Sequence, residues 1–158
     1  MRFSKPVKIL FAVLICLLAG VIGSIFTTLS IPTWYASLHK PFFNPPNWLF
    51  APAWTILYVL MGISAYLIWE KIRRYRPAKP ALVIFAIQLV LNTLWSIIFF
   101  GLKNPLFAFI EIIILWTAIL LTILKFHRIS KTAAYLLVPY ICWVTFASVL
   151  NYYILILN

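Results

Sequence analysis

The chain has 158 residues, 65% of them hydrophobic and only 9% charged, with a mean hydropathy of +1.06. A soluble domain carries about a quarter of its residues as charges, so this composition excludes a water-soluble globule and predicts an all-α membrane protein. The net charge of +11 would suit nucleic acid, but the basic residues lie in short clusters between long apolar spans, with no zinc-ligand spacing or recognition helix, so no nucleic-acid partner is expected.

The first span is read over 9–29, inside an apolar run of 23 residues from Ile9 to Ile31. That run is too long for the core of a signal peptide and suits a retained transmembrane helix. Its small residues Ala19 and Gly23, flanked by Gly20 and Ser24, recur at intervals of four and would admit a close helix neighbour, from this chain or a second copy. Residues 30–47 form the longest segment outside lipid. Pro41, Pro45 and Pro46 hold its backbone extended or turned, and with Trp34, Tyr35 and Trp48 they make a stiff aromatic segment that reads as a lid over a cavity. The plainer reading is an aromatic anchor at the headgroup level.

The second span is expected over 48–69, with Pro52 in its first turn, where a missing N–H costs little. Glu70 and the basic run Lys71, Arg73, Arg74 and Arg76 follow. The third span is read over 80–100 and the fourth over 105–124; the short connection between them requires an antiparallel hairpin. The fifth is read over 133–156. The result is a five-transmembrane-helix bundle forming a single membrane domain over 1–158. Cys16 and Cys142 both fall inside apolar spans, so no disulfide framework is implied, and no metal-ligand or nucleophile set is present.

Charge predicts orientation. Arg2, Lys5 and Lys8 precede the first span, Lys71, Arg73, Arg74, Arg76 and Lys79 separate the second from the third, and Lys125, Arg128 and Lys131 separate the fourth from the fifth. The opposite side has only Lys40 and Lys103. Positive charge stays on the cytoplasmic side, which predicts an N-terminus inside and a C-terminus outside, in the cell membrane.

Polar residues inside the spans fall in stripes. Gln88, Asn92, Trp95 and Phe99 share one face of the third helix; Trp143, Ala147 and Asn151 recur at four in the fifth; Trp54, Tyr58 and Gly62 do so in the second. Amides in hydrocarbon need partners, so the stripes face protein or a cavity. Two readings stand: interhelical hydrogen bonds worth roughly 0.6–2 kcal/mol each, or an apolar pocket with a few convergent polar groups, suited to a flat molecule between rings. Glu111 is the one acid inside a span, read either as a functional carboxyl or as a bridge to a neighbouring helix.

The segments Trp34-Tyr35, Lys40-Pro41, Asn44-Pro45-Pro46, Trp48-x-Phe50-x-Pro52-x-Trp54-Thr55, Leu57-Tyr58, Met61-Gly62 and Tyr66-Leu67-x-Trp69 resemble the signature of the tryptophan-rich sensory protein and translocator protein family. So do Gln88-x3-Asn92-x2-Trp95-x3-Phe99-Phe100 and Pro139-Tyr140-x2-Trp143-x2-Phe146-Ala147-x3-Asn151. The resemblance implies a five-helix membrane protein, commonly a homodimer, that binds porphyrins such as protoporphyrin IX as ligands rather than as resident cofactors. It also implies binding of benzodiazepine-type or isoquinoline compounds, and in some members cholesterol. The pocket it implies is lined by helices 1, 2, 3 and 5 and closed by the first loop; carried onto this chain its residues are Trp54, Tyr58, Asn92, Trp95, Trp143 and Ala147. Two features depart from the family pattern. Phe43 stands where many relatives have tryptophan, and Tyr152 to Asn158 contains no Lys or Arg, which counts against sterol binding by a motif that needs one beyond its tyrosine. The resemblance leaves three activities open: binding or sensing of tetrapyrroles, their carriage across the bilayer, and their light-dependent degradation.

Overall fold

The computed structural model describes residues 4–158, so Arg2, counted above among the N-terminal cations, lies outside the described residues. Five helical segments are long and apolar enough to cross a membrane, and the expectation of an all-α, five-span bundle is met. The first, α1, runs Lys5–Ser30, starting a turn earlier than hydropathy marks because Pro6 sits at the start of a helix without cost. A short helix α2, Trp34–Ser37, lies in the first loop. A single 3-10 turn at Asn47–Leu49 leads into α3, Phe50–Trp69. The next span is α4, Ala78–Ser96, extended by a π-helical turn at Ile97–Gly101. Asn104 caps α5, Pro105–His127, by accepting from Phe107 N at 3.0 Å.

The fifth span is not one continuous helix. It divides into α6, Lys131–Leu136, and α7, Val138–Leu157, because Pro139 has no N–H for the preceding turn and the ladder tightens there, with Leu137 N bonding Ala134 O at 3.0 Å. That break has a consequence for shape. α6 packs on α3, tied by Ser64 Oγ donating to Ala133 O at 2.7 Å, whereas α7 packs chiefly on α5 and only lightly on α3. Both halves of the span pack on α5, but only α6 is also held closely against α3, and α3 and α7 diverge toward the first loop.

On the other side of α3, α1 packs against both α3 and α4. A Cβ at Gly62 would come within 2.5 Å of the Val13 Cα, so only glycine there allows the two backbones to approach this closely. The core at the basic end of the bundle, where Lys8, Lys71 and Lys125 lie, is filled by small and branched side chains: Ala78, Ala81, Ile119, Ala133, Ala134 and the stacked pair Phe85 and Phe126 are all buried.

Candidate ligand cavity

The divergence of α3 from α7 leaves a cavity of about 420 Å³ at the loop end of the bundle. Its walls are mostly rings. From α3 come Phe50, Trp54 and Tyr58; Trp54 stacks on Tyr58 with centroids 5.7 Å apart and meets Trp143 of α7 nearly edge-on at 6.4 Å. Across from them, Trp95 of α4 stacks on Phe99 at 5.1 Å and 21°. Phe99 and the next residue, Phe100, both line the cavity. An α-helix would turn consecutive side chains about 100° apart; the π turn widens the ladder here, with Leu102 N bonding Ile97 O at 2.8 Å, and presents both rings to one side. The Phe100 carbonyl accepts from Ser30 Oγ at 2.6 Å, which ties this turn to the end of α1.

Tryptophan and tyrosine bury their rings only when their donors find partners. Trp95 Nε1 donates to Asn151 Oδ1 at 3.1 Å, and the Asn151 amide donates in turn to Pro105 O at 2.9 Å. At the opposite end, Tyr58 OH donates to Asn92 Oδ1, Asn92 Nδ2 donates to Tyr140 OH at 3.0 Å, and Tyr140 OH donates to Gln88 Oε1 at 2.8 Å. This ladder crosses from α3 through α4 to α7 in fully buried positions and closes the cavity toward the basic end.

The sequence-derived site residues divide accordingly. Trp54, Tyr58, Trp95, Trp143 and Ala147 line the cavity. Asn92 does not: it is 2% exposed and engaged by Tyr58 and Tyr140, so it positions the Tyr58 ring from behind. Of the six lid residues named from the sequence, Tyr35 alone lines the cavity, meeting Phe50, Phe99 and Phe100 edge-on or tilted. Its hydroxyl donates to Asn44 Oδ1 at 2.7 Å, and burial pushes its pKa up to about 12, partly offset by that hydrogen bond. Trp34 packs from outside, edge-on to Phe99 at 5.5 Å. Pro41, Pro45 and Pro46 shape the turn and do not line the cavity, and Trp48 is 72% exposed in the 3-10 turn before α3. The anchor reading suits Trp48; the covering role falls to the segment around Tyr35. That segment is fastened at its far end, where His39 N donates to Asn158 Oδ1 at 2.9 Å and Asn158 Nδ2 donates to His39 O at 3.0 Å.

The family resemblance implies helix 1 as a pocket wall, but no residue of α1 is among the sequence-derived site residues. Gly20, Ser24, Thr27 and Thr28 line the cavity, and the stripe of small residues expected to meet another helix is used inside this chain. A Cβ at Gly20 would run into the Tyr58 ring, and one at Gly23 would lie 3.1 Å from Ser96 Oγ. The lining residues that remain exposed are Val21, Ser24 and Thr28 on α1 and Asn47, Ala51 and Thr55 at the start of α3. The cavity therefore opens sideways, through a slot between α1 and α3. Glu111 lies outside it, buried in α5 with neither carboxyl oxygen bonded among the described residues, so the expected bridge to a neighbouring helix is not formed.

An integral membrane bundle with an aromatic cavity open at one side, its lining uncharged and the described residues free of metal-ligand clusters, is the class these features define. The TspO/MBR family profile matches residues 12–157. The chain is 49% identical over 151 residues to the tryptophan-rich protein TspO of Archaeoglobus fulgidus, covering 96% of this chain and 97% of that one. It is 38% identical over 125 residues to a tryptophan-rich sensory protein of Cereibacter sphaeroides, covering 79% and 77% respectively, and 38% identical over 136 residues to the translocator protein of Bos taurus, covering 85% and 80%. The chain belongs to the TspO/MBR family.

Proposed function

We propose that this protein binds a flat tetrapyrrole such as protoporphyrin IX, or a synthetic isoquinoline or benzodiazepine-type compound, in the cavity between α1, α3, α4 and α7. The observation that carries the reading is the pair of ring walls, Trp54 with Trp143 on one side and the Trp95–Phe99 stack on the other, around about 420 Å³. Stacking on such rings favours planar apolar ligands, and the volume falls in the usual range for small-molecule sites. No His, Cys or Met lines the cavity, so a metal in the ring would find none of these as an axial ligand. Ionised side groups of the ligand are accommodated at the slot, beside the hydroxyls of Ser24, Thr28 and Thr55.

Binding is favoured over carriage because the Tyr58–Asn92–Tyr140–Gln88 ladder seals the cavity toward the basic end, and alternating access would have to break it. The same proposal has the protein in the cell membrane with its N-terminus inside, supported by ten cations at the basic end from Lys5 to Lys131 against Lys40 and Lys103 at the other. Homodimerisation rests on the family resemblance; Gly23 is engaged within the chain, so the contact uses another face.

Titration of purified protein with protoporphyrin IX in the dark, then under illumination, tests the function. Saturable quenching with intact pigment bands is the expected result. Absence of saturation overturns the reading, and light-dependent loss of the bands beyond a free-tryptophan control assigns degradation instead. A C-terminal reporter active only in the cytosol is expected to stay silent; strong activity overturns the orientation.

A further inference from the structure

A second hollow lies at the other end of the bundle. It is a groove of about 290 Å³ on the lipid-facing side, between α1 and α4 with α3 as its floor. Ala12, Ala65 and Ala86 make it deep by their small size, and Phe11, Ile15 and Leu82 stand along it. It shares no residue with the aromatic cavity. Near its mid-membrane end lie Cys16 and Leu89; toward the basic end it reaches Trp69 and Ile72, where α3 leaves the membrane.

That end is charged in an unbalanced way. Lys8 Nζ donates to Glu70 Oε1 at 2.6 Å and lies 6.0 Å from the centroid of the Trp69 ring, which in turn meets Phe11 at 6.0 Å. The Glu70 carboxyl is held below the usual carboxylate range, first by the Lys8 hydrogen bond and further by the charges of Lys8, Lys5 and Arg74, which places all three cations within electrostatic reach of one acid. The chain has only two acids, and the other, Glu111, is buried in α5. Lys5, one turn before Lys8 on α1, and Arg74, four residues beyond Glu70, are both exposed at this end of the bundle, where Glu70 is already engaged by Lys8. A groove with an apolar slot running into the bilayer and surplus positive charge at the interface matches one kind of molecule: an acyl chain bearing an anionic headgroup. Neutral lipid would satisfy the slot and leave the cations unmatched. A second copy of this chain would bring further cations to the same end.

We infer that the groove between α1, α3 and α4 binds an anionic phospholipid, its acyl chain along Ala12, Ala65 and Ala86 and its phosphate beside Lys5 and Arg74. The attraction of juxtamembrane cations for anionic lipid gives roughly a five- to thirty-fold preference for anionic over neutral lipid at this groove.

Trp69 reports the occupant. Protein in phosphatidylcholine vesicles receives the same mole fraction of acyl-brominated phosphatidylglycerol or acyl-brominated phosphatidylcholine, and the quenching attributable to Trp69 is the difference between wild type and Trp69→Phe. The expected result is stronger quenching by the phosphatidylglycerol at every mole fraction. That excess should fall toward parity in Lys5→Gln/Arg74→Gln, weaken in 1 M salt with the wild-type protein, and shrink in Ala86→Leu, which fills the slot without altering charge. Equal quenching by the two lipids in wild type overturns the inference in favour of ordinary lipid contact. An excess that survives the double variant or high salt also overturns it, and one untouched by Ala86→Leu means surface attraction without the groove. No Trp69-dependent quenching by either lipid means that a second copy covers this face. The salt arm uses only wild-type protein, so a folding defect in a variant leaves the test intact.

Discussion

The two ends of this bundle are built from equally apolar sequence and pack in opposite ways. At the basic end α6 lies against α3 and the core is solid, with Ala78, Ala81, Ala133 and Ala134 letting helices close on the Phe85–Phe126 stack. At the loop end α7 leaves α3, and large rings from α3, α4 and α7 stand around a void. Small side chains bring backbones together; large rings held by their own polar handles keep them apart. The Tyr58–Asn92–Tyr140–Gln88 ladder marks the boundary, and its hydrogen bonds fix the depth at which the solid half ends. Stability should therefore reside mainly in one half and ligand affinity in the other.

The sharpest way to break that division is to damage each half and measure both quantities. Phe126→Ala removes a fully buried ring from the solid end and should cost about 3–5 kcal/mol of apo stability, while the affinity of the protein that remains folded stays near wild type. Asn92→Ala strikes the boundary. It leaves the Tyr58 hydroxyl without its acceptor and Tyr140 without a donor, so a loss of about 1–3 kcal/mol in apo stability is expected. A smaller loss of affinity should accompany it as the Tyr58 ring is freed; an affinity loss without any change in melting would instead make Asn92 a direct contact. Trp143→Phe keeps a ring in the cavity wall but reduces its area, which should weaken protoporphyrin binding by about 1–2 kcal/mol, roughly five- to thirty-fold, with little change in apo melting.

The smallest effect concerns the surface of the solid end. Because Lys8 holds the Glu70 carboxyl below the usual carboxylate range, the contribution of that pair is present above that range and is lost as pH falls through the lowered value. Comparing apo melting of wild type and Glu70→Gln across acidic pH should show a slight difference at neutral pH that vanishes on acidification. A difference that grows on acidification would contradict the assignment.

Much of this was legible in the sequence, for identifiable reasons. Apolar run length defines spans, and helical periodicity placed Trp54, Tyr58, Trp95, Trp143 and Ala147 on inward faces. Periodicity gives direction without distance, so it could not tell that Asn92 stops behind the cavity wall, where two tyrosine hydroxyls use up its amide. The lid residues were grouped by rigidity and ring content, yet only Tyr35 turns inward and Trp48 turns to the membrane surface; side-chain direction in an irregular segment depends on contacts such as Asn44 and Asn158 that spacing does not encode. The small stripe on α1 was read as a helix contact, and Gly20 and Gly23 do make one. That the adjoining Ser24, Thr27 and Thr28 form a cavity wall follows from what faces them, which no single helix reveals. Pro139 carried a signal that was not used: a proline inside a span, one turn before a ring, marks the break that separates α6 from α7 and opens the cavity.

The division between a solid end and a hollow end is tested most directly by Ala147→Leu, with protoporphyrin affinity and apo melting temperature measured on the same sample in the same detergent. Ala147 lines the cavity on α7 and is only partly buried, so added bulk can extend into the empty cavity and compete with a ligand. The account predicts an affinity lowered at least about tenfold with an apo melting temperature close to wild type. Wild-type affinity in this variant, or a collapse of apo stability, would contradict it.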